Sequence, residues 1–309
     1  MARCWFTKKR SFMNQSIIKD KIGTADIYHG DCRDMLKSMP DCSADLIVSS
    51  PPYSMGREYE SRSAGLKEFQ KLHENIFADM YRILKPSGSI CWQVGSHVSK
   101  GQVMPLDFEI YNMFTQMGSR YDPPLVCRGR IIWTFGHGLH CRHRFSGRHE
   151  TILWFTKGDV RGDVDGLPPY DIWDIPNVKG NHVEKTAHPC QYPIALPKRL
   201  VHVLTAEGDL VVDPFLGAGT TGAAAVLEGR RFAGAEMRED YIKTAEERIR
   251  QAAAGTLRYR EDVPVKEPDP HTAQARRHTE WIKKERNENE SQRRTYKKHQ
   301  SAGKRRSKL

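Results

Sequence analysis

The chain has 309 residues, 38% of them hydrophobic and 28% charged, with a mean hydropathy of -0.65, and no run approaches the roughly 18 consecutive apolar residues a membrane helix needs. Seven cysteines form an odd set with no C-x-x-C pair, which argues against a disulfide scaffold; with no apolar signal-peptide stretch in MARCWFTKKRSFMNQSIIKDK, the expected location is the cytoplasm. The formal net charge is +11, and residues 271–309, with 13 Lys+Arg against 4 Asp+Glu, carry +9 of it.

Strand-like apolar runs alternate with helix-like segments, the pattern of an α/β domain with a mostly parallel sheet. Residues 25–29 (ADIYH) read as a strand ending at Gly30-Asp31, with a short helix over 34–38. Residues 44–49 (ADLIVS) form a second strand, closed by Pro51-Pro52. Residues 66–84 carry Leu66, Phe69, Leu72, Ile76, Phe77, Met80, Ile83 and Leu84 at spacings of three and four, which predicts an amphipathic helix stopped by the Lys-Pro-Ser-Gly at 85–88. Strands are expected at 89–94, 130–135 and 150–155, the latter two joined by a Gly- and His-rich loop, and 157–187 reads as an irregular insertion. A helix over 193–204, a strand over 209–213, a helix over 221–228, a strand over 231–236 and a closing helix over 241–254 complete the pattern. The expected division is an N-terminal extension (1–21), one domain (22–254) and a basic tail (255–309). That tail has too little apolar surface to offset its chain entropy, and is either a solubilising end or an arm that binds nucleic-acid phosphates.

Two constellations carry chemistry. The first runs from Asp213 through Pro-Phe215-Leu-Gly217-Ala-Gly219-Thr220-Thr-Gly222, a strand passing through a glycine turn into a helix. Glycines let the backbone approach a ligand, and the helix N-terminus presents N–H groups to it. Glu236 ends the next strand, where a carboxylate can accept from a ribose hydroxyl. The glycines point to a nucleoside without separating NAD from S-adenosylmethionine. The second constellation is Ser50-Pro51-Pro52-Tyr53 at the end of another strand. Consecutive prolines hold their carbonyls outward at a rigid turn. With the Ser50 oxygen they make an acceptor-rich pocket suited to the exocyclic amino group of a flat base, on which Tyr53 would stack.

Together, in this order, the two elements resemble the amino-group DNA methyltransferases that modify cytosine N4 or adenine N6, in the permuted order of that family's beta group. Gly30-Asp31, Leu84-Lys85-Pro86 with Gly88, Arg148 to Lys157, and Lys185 to Pro193 resemble further family elements, so the likeness spans roughly residues 22–253. It implies an S-adenosylmethionine-dependent, Rossmann-like fold with a mostly parallel seven-stranded sheet and helices on both faces. The cofactor is expected at Asp31, His188, Asp213, Phe215, Gly217, Gly219, Thr220 and Glu236, and the catalytic residues are expected to be Ser50, Pro51, Pro52 and Tyr53. Double-stranded DNA is the implied partner, and a cognate restriction nuclease is one the resemblance allows. Serine at the head of the tetrapeptide leans, in that family, towards cytosine N4 over adenine N6.

A base amino nitrogen is a poor nucleophile because its lone pair is delocalised into the ring. Acceptors on the NH2 favour a pyramidal nitrogen aimed at the sulfonium methyl, so catalysis is mainly positioning and electrostatics on a base flipped out of the duplex. DNA contacts are expected in the insertions at about 97–130 and 136–187, from Arg128, Arg130, Arg142, Arg144, Arg148, Lys157 and Lys179. Competing readings fare worse. The Pro189-Cys190-Gln191 tripeptide resembles the nucleophile of cytosine C5 methyltransferases, but it precedes the glycine turn instead of following it. His137, His140, Cys141, His143 and His149 crowd one loop but match no common zinc spacing, so no metal is expected. A dinucleotide-dependent oxidoreductase leaves Ser50 to Tyr53 unexplained, and a non-catalytic nucleic-acid-binding module leaves both constellations idle.

Overall fold

The computed structural model describes residues 15–19, 24–53, 65–136, 141, 143–160 and 170–261. Its strands and helices, in chain order, are β1 (Gln15–Lys19), β2 (Thr24–His29), α1 (Cys32–Ser38), β3 (Ala44–Ser49), α2 (Leu66–Ile83), β4 (Leu84–Val94), β5 (Ser96–Ser99), β6 (Gln102–Pro105), α3 (Leu106–Gly118), β7 (Leu125–Thr134), β8 (His149–Lys157), β9 (Ile172–Asp174), α4 (Ala195–Leu204), β10 (Leu210–Asp213), α5 (Thr220–Leu227), β11 (Arg231–Glu236) and α6 (Glu239–Ala253). The N-terminal extension before Gln15 and the basic tail beyond Glu261 lie outside the described residues.

One nine-stranded sheet has the order β1-β2-β11-β10-β3-β4-β8-β7-β9. Strands β2, β11, β10, β3 and β4 run parallel, and β8 is antiparallel to both β4 and β7. The seven strands from β2 to β7 are the sheet the sequence predicts, and the short β1 and β9 extend its two edges. At the centre, all six residues of β3 are buried, as a parallel strand covered on both faces requires. The charged residue within it, Asp45, is answered by Lys85 Nζ at 2.8 Å and by the Leu210 backbone N–H at 2.9 Å.

Side chains alternate between two cores, following the period of two along a strand. Ile47, Trp92, Leu153 and Val212 face the core that α1, α2 and α3 cover, whereas Leu46, Cys91, Ile152 and Val211 face the core covered by α4 and α6. Helix α2 buries Phe69, Ile76, Phe77, Met80 and Ile83 of the stripe its spacing predicts, and His73 with them, while Leu66 and Leu72 are only partly buried.

Residues 97–130, expected to be a DNA-reading insertion, are largely part of this framework. They hold the β5–β6 hairpin, α3 and half of β7. Helix α3 inserts Phe114 between Trp92 and Phe155, with ring centroids 5.7 and 5.5 Å away. Its apolar stripe is blurred in the sequence because Phe108 and Tyr111, on the other side, remain exposed.

Candidate active site

From β3 the chain crosses through α2 to β4, and from β10 it crosses through α5 to β11 on the opposite side. Strands β3 and β10 are neighbours, with Leu46 opposite Val211 and Ile47 opposite Val212. Their following loops therefore diverge and leave a crevice at the carboxyl ends of the strands, the usual ligand site of an open α/β sheet. Here that crevice is a cleft of about 880 Å³. Ser50 to Tyr53 line it on the β3 side and Phe215, Gly217 and Thr220 on the β10 side. Asp31 after β2, Glu236 at the end of β11 and His188 ahead of α4 complete the wall. Loops separated by more than 160 residues thus open onto one cavity because their strands pair.

The glycine turn is held from several sides. Gly217 and Gly219 have φ of 52° and 73°, left-handed backbone that costs a residue with a Cβ about 1–2 kcal/mol. A Cβ at Gly219 would lie 2.7 Å from the Ala245 Cβ, so this glycine lets the start of α5 meet α6. A Cβ at Gly217 would sit 3.1 Å from His188 Nε2, at the cleft wall. Glu236 accepts the N–H groups of Gly217 at 3.0 Å and of Met237 and Arg238 at 2.9 Å. A carboxylate has about four acceptor positions, which leaves room for one further donor such as a ribose hydroxyl. Asp31 caps α1 through the Arg33 N–H at 2.8 Å, and the Arg33 guanidinium beside it holds its carboxyl below the usual range. Burial lowers the His188 imidazole to about 4. It is neutral at physiological pH, with Nδ1 accepting the Cys190 N–H at 3.2 Å.

Two of the residues expected to touch the cofactor do not line the cleft. Asp213 is 1% exposed and points into the protein, accepting from the Ser49 hydroxyl and from the Phe215 N–H at 3.0 Å. Burial pushes its carboxyl up to about 6. It ties the end of β10 to the end of β3 and shapes the turn from behind, and Gly219 likewise acts through helix packing. One residue the sequence did not reveal does related work. Buried Arg248 of α6 donates to the Ala218 carbonyl at 2.6 Å and to Thr220 Oγ1 at 3.0 Å, pinning the turn from α6.

At the other end of the cleft Tyr53 is 8% exposed, and its hydroxyl accepts the Gly95 N–H at 2.6 Å. That bond ties the Ser-Pro-Pro-Tyr turn to the end of β4. Beside it, Gln93 Nε2 donates to Glu150 Oε2 at 2.5 Å, joining β4 to β8. Gln93, Glu150 and Trp133 all line the cleft. None of the three carries a local motif, and cross-strand contacts bring them together at the cleft, with Trp133 opposite Glu150.

The basic residues expected to contact DNA part company. Lys157 is buried, and its ammonium donates to the carbonyls of Tyr81 at 2.9 Å and Leu84 at 2.8 Å, so it is a framework residue and not a DNA contact. Arg130 pairs with the buried Asp107 at 2.6 Å. Arg128 is engaged by Thr156 Oγ1 and the Gly158 carbonyl. Arg148 reaches the Gly136 carbonyl at 2.8 Å and Arg144 the Phe145 carbonyl at 3.1 Å. Lys179 lines the cleft, and Arg142 lies outside the described residues.

A doubly covered, mostly parallel sheet with a glycine turn and the Ser50-to-Tyr53 turn on one cleft is the architecture of an open α/β sheet that binds its ligand at the carboxyl ends of the strands. The chain belongs to the N6/N4 DNA methylase family, whose model matches residues 44–247. It is 40% identical over 248 residues to the type II methyltransferase M.BglII of Bacillus subtilis, covering 71% of this chain and 67% of that protein. It is 29% identical over 256 residues to the DNA adenine methyltransferase YhdJ of Escherichia coli, covering 72% and 82%. Among solved structures it is similar to a DNA modification methylase of Thermus thermophilus, TTHA0409, complexed with S-adenosyl-L-methionine, with a TM-score of 0.59, 27% identity, and coverage of 74% and 96%. The cytosine-N4-specific PvuII DNA methyltransferase shares the fold at a TM-score of 0.59 and 24% identity, covering 77% and 94%. The expected fold is therefore correct, and the chain is a DNA methyltransferase of the amino-group class.

Proposed function

We infer that the cleft holds S-adenosylmethionine against the glycine turn and takes a flipped base at Ser50 to Tyr53, and that the base is cytosine, methylated at N4. The observation that supports this is the shared cleft: the glycine turn and the Ser50-to-Tyr53 turn line the same cavity of about 880 Å³. Glu236 retains capacity for a ribose hydroxyl, and Phe215, Leu216 and Tyr241 offer apolar surface to the adenine and methionine parts. His188 is uncharged and so does not repel a sulfonium. When bound, this cofactor supplies an electrophilic methyl group.

The chain's own residues supply the rest. The Ser50 oxygen and a proline carbonyl accept from the base NH2, draw its nitrogen out of conjugation and fix its direction. Tyr53 offers its ring as a stacking surface that offsets part of the cost of flipping, and its bond to Gly95 holds that ring in one orientation. Serine at position 50 supports cytosine N4, and similarity to an enzyme named for adenine supports N6 as the second reading. The experiment is mass spectrometry of nucleosides from DNA incubated with the protein and methyl-labelled S-adenosylmethionine. Labelled N4-methylcytosine is the expected product. Labelled N6-methyladenine replaces the first reading with the second, and label in neither refutes both.

A further inference from the structure

Methyl transfer to an amino group leaves a proton to be removed. The amino nitrogen gives its lone pair to the methyl carbon while the sulfur keeps the pair of the broken S–C bond, so the positive charge moves from sulfur to the base. The methylated nitrogen then carries one hydrogen too many. Ser50 is neutral, and its hydroxyl oxygen accepts a hydrogen bond but is too weakly basic to hold that proton.

Four carboxylates line the cleft among the described residues: Asp31, Glu68, Glu150 and Glu236. Asp31 is held by Arg33, with Nη2 at 2.5 Å. Glu236 lies at the glycine turn and takes three backbone N–H groups. Glu68 is an exposed residue of the first turn of α2. Glu150 is the carboxylate that borders the Tyr53 hydroxyl. A Cβ placed on Gly95 would be 3.0 Å from Glu150 Oε1 and 3.1 Å from the Tyr53 hydroxyl, so both atoms border the same point. The buried Gln93 fixes the carboxylate from its other oxygen. Glycine at 95 is thereby explained, since a side chain there would press on both groups.

Resting on the amino-group reading above, we propose that Glu150 is the proton acceptor of the reaction, with Gln93 as its positioning residue. Its carboxylate takes the proton from the methylated amino nitrogen, leaving a neutral methylamino base and a carboxylic acid that loses the proton to water as the product leaves. Before that step the anion faces the nitrogen on which positive charge develops and favours the transition state over the ground state. The tetrapeptide can then begin with an uncharged serine because β8 supplies the charge.

The test uses the full chain, labelled S-adenosylmethionine and duplex DNA, with Glu150→Gln and Glu150→Ala. In both variants kcat is expected to fall about 100-fold, within the range of a lost general base. Donor affinity by calorimetry and DNA affinity by anisotropy are expected to stay within about twofold, as for a group that acts on the transferring proton. Added formate is expected to restore about 10-fold of the Glu150→Ala rate, because a small carboxylate can enter the space left, and to leave Glu150→Gln unchanged. A kcat close to wild type, a parallel loss of binding, or a Glu150→Ala rate indifferent to formate overturns the proposal. Wild-type protein that methylates no amino group instead refutes the reading on which it rests.

Discussion

The buried His73 gives this protein a calculable acid sensitivity. Its Nδ1 donates to the Phe69 carbonyl at 2.7 Å and its Nε2 accepts from Trp92 Nε1 at 3.1 Å, so both ring nitrogens are used by the neutral imidazole. Protonating Nε2 would set two donors against each other within an aromatic cluster that includes Phe114. Burial accordingly lowers this imidazole from 6.5 to about 4. A depressed histidine contributes stability above its unfolded value and loses it as pH falls towards the folded one, because the unfolded chain binds the proton first. At about 1.4 kcal/mol per unit the full difference is about 3 kcal/mol, of which about 2 kcal/mol is gone by about pH 5. Urea denaturation of the wild type and of His73→Gln, at about pH 7.5 and about pH 5, measures it. Glutamine can donate to Phe69 and accept from Trp92 without titrating. The wild type should lose about 2 kcal/mol more than the variant over that interval. Equal losses would refute the assignment of the acid sensitivity to His73. Since Trp92 also packs edge-on against Phe215 of the cleft, 6.2 Å away, the same protonation should loosen the site before the molecule unfolds.

Asp213 has the opposite sign: its raised carboxyl, about 6 against 3.8, means that stability is present below the lower value and is lost as pH rises through the higher one, about 3 kcal/mol in full. Asp213→Asn should therefore be more stable than wild type at about pH 8 and lose that advantage towards about pH 4, as read by thermal midpoints; an unchanged difference across pH would count against it. Gly217→Val, with a β-branched side chain in left-handed backbone against His188, should weaken S-adenosylmethionine binding by at least about 10-fold in calorimetry; undiminished affinity would remove the turn from the cofactor site. Lys157→Met strips two carbonyls of their donor and should cost about 2 kcal/mol of stability while leaving the DNA affinity of the folded protein unchanged; a selective loss of DNA binding would restore the lysine to the interface. Tyr53→Ala and Ser50→Ala should abolish methyl transfer with S-adenosylmethionine affinity retained, and activity surviving in both would overturn the base-pocket assignment.

Much of this was legible in the sequence because the informative signals are local. The run at 44–49 is a strand at those bounds, since a short apolar stretch closed by Pro51-Pro52 needs no long-range knowledge to recognise. The glycine turn could be read because positive φ demands glycine at Gly217 and Gly219 wherever the rest of the chain lies. Helix α3 is hidden in the sequence because exposed aromatic residues break its periodicity. The roles of Asp213 and Lys157 escape a sequence reading for a different reason. A charged residue in a motif or a late strand looks solvent-facing until its neighbours across the sheet are known, and Lys157 finds its carbonyl partners at Tyr81 and Leu84.

By itself the sequence determined the alternation of strands and helices, the two chemical turns and their order, since each depends on residues adjacent along the chain. Only the tertiary structure decided that β3 lies beside β10, so that the turns share a cleft, and that Glu150 meets Gln93 across 57 residues of separation beside Tyr53. Strand pairing is set by which apolar faces are buried together over the whole sheet, a collective condition that leaves no mark on any short stretch of residues.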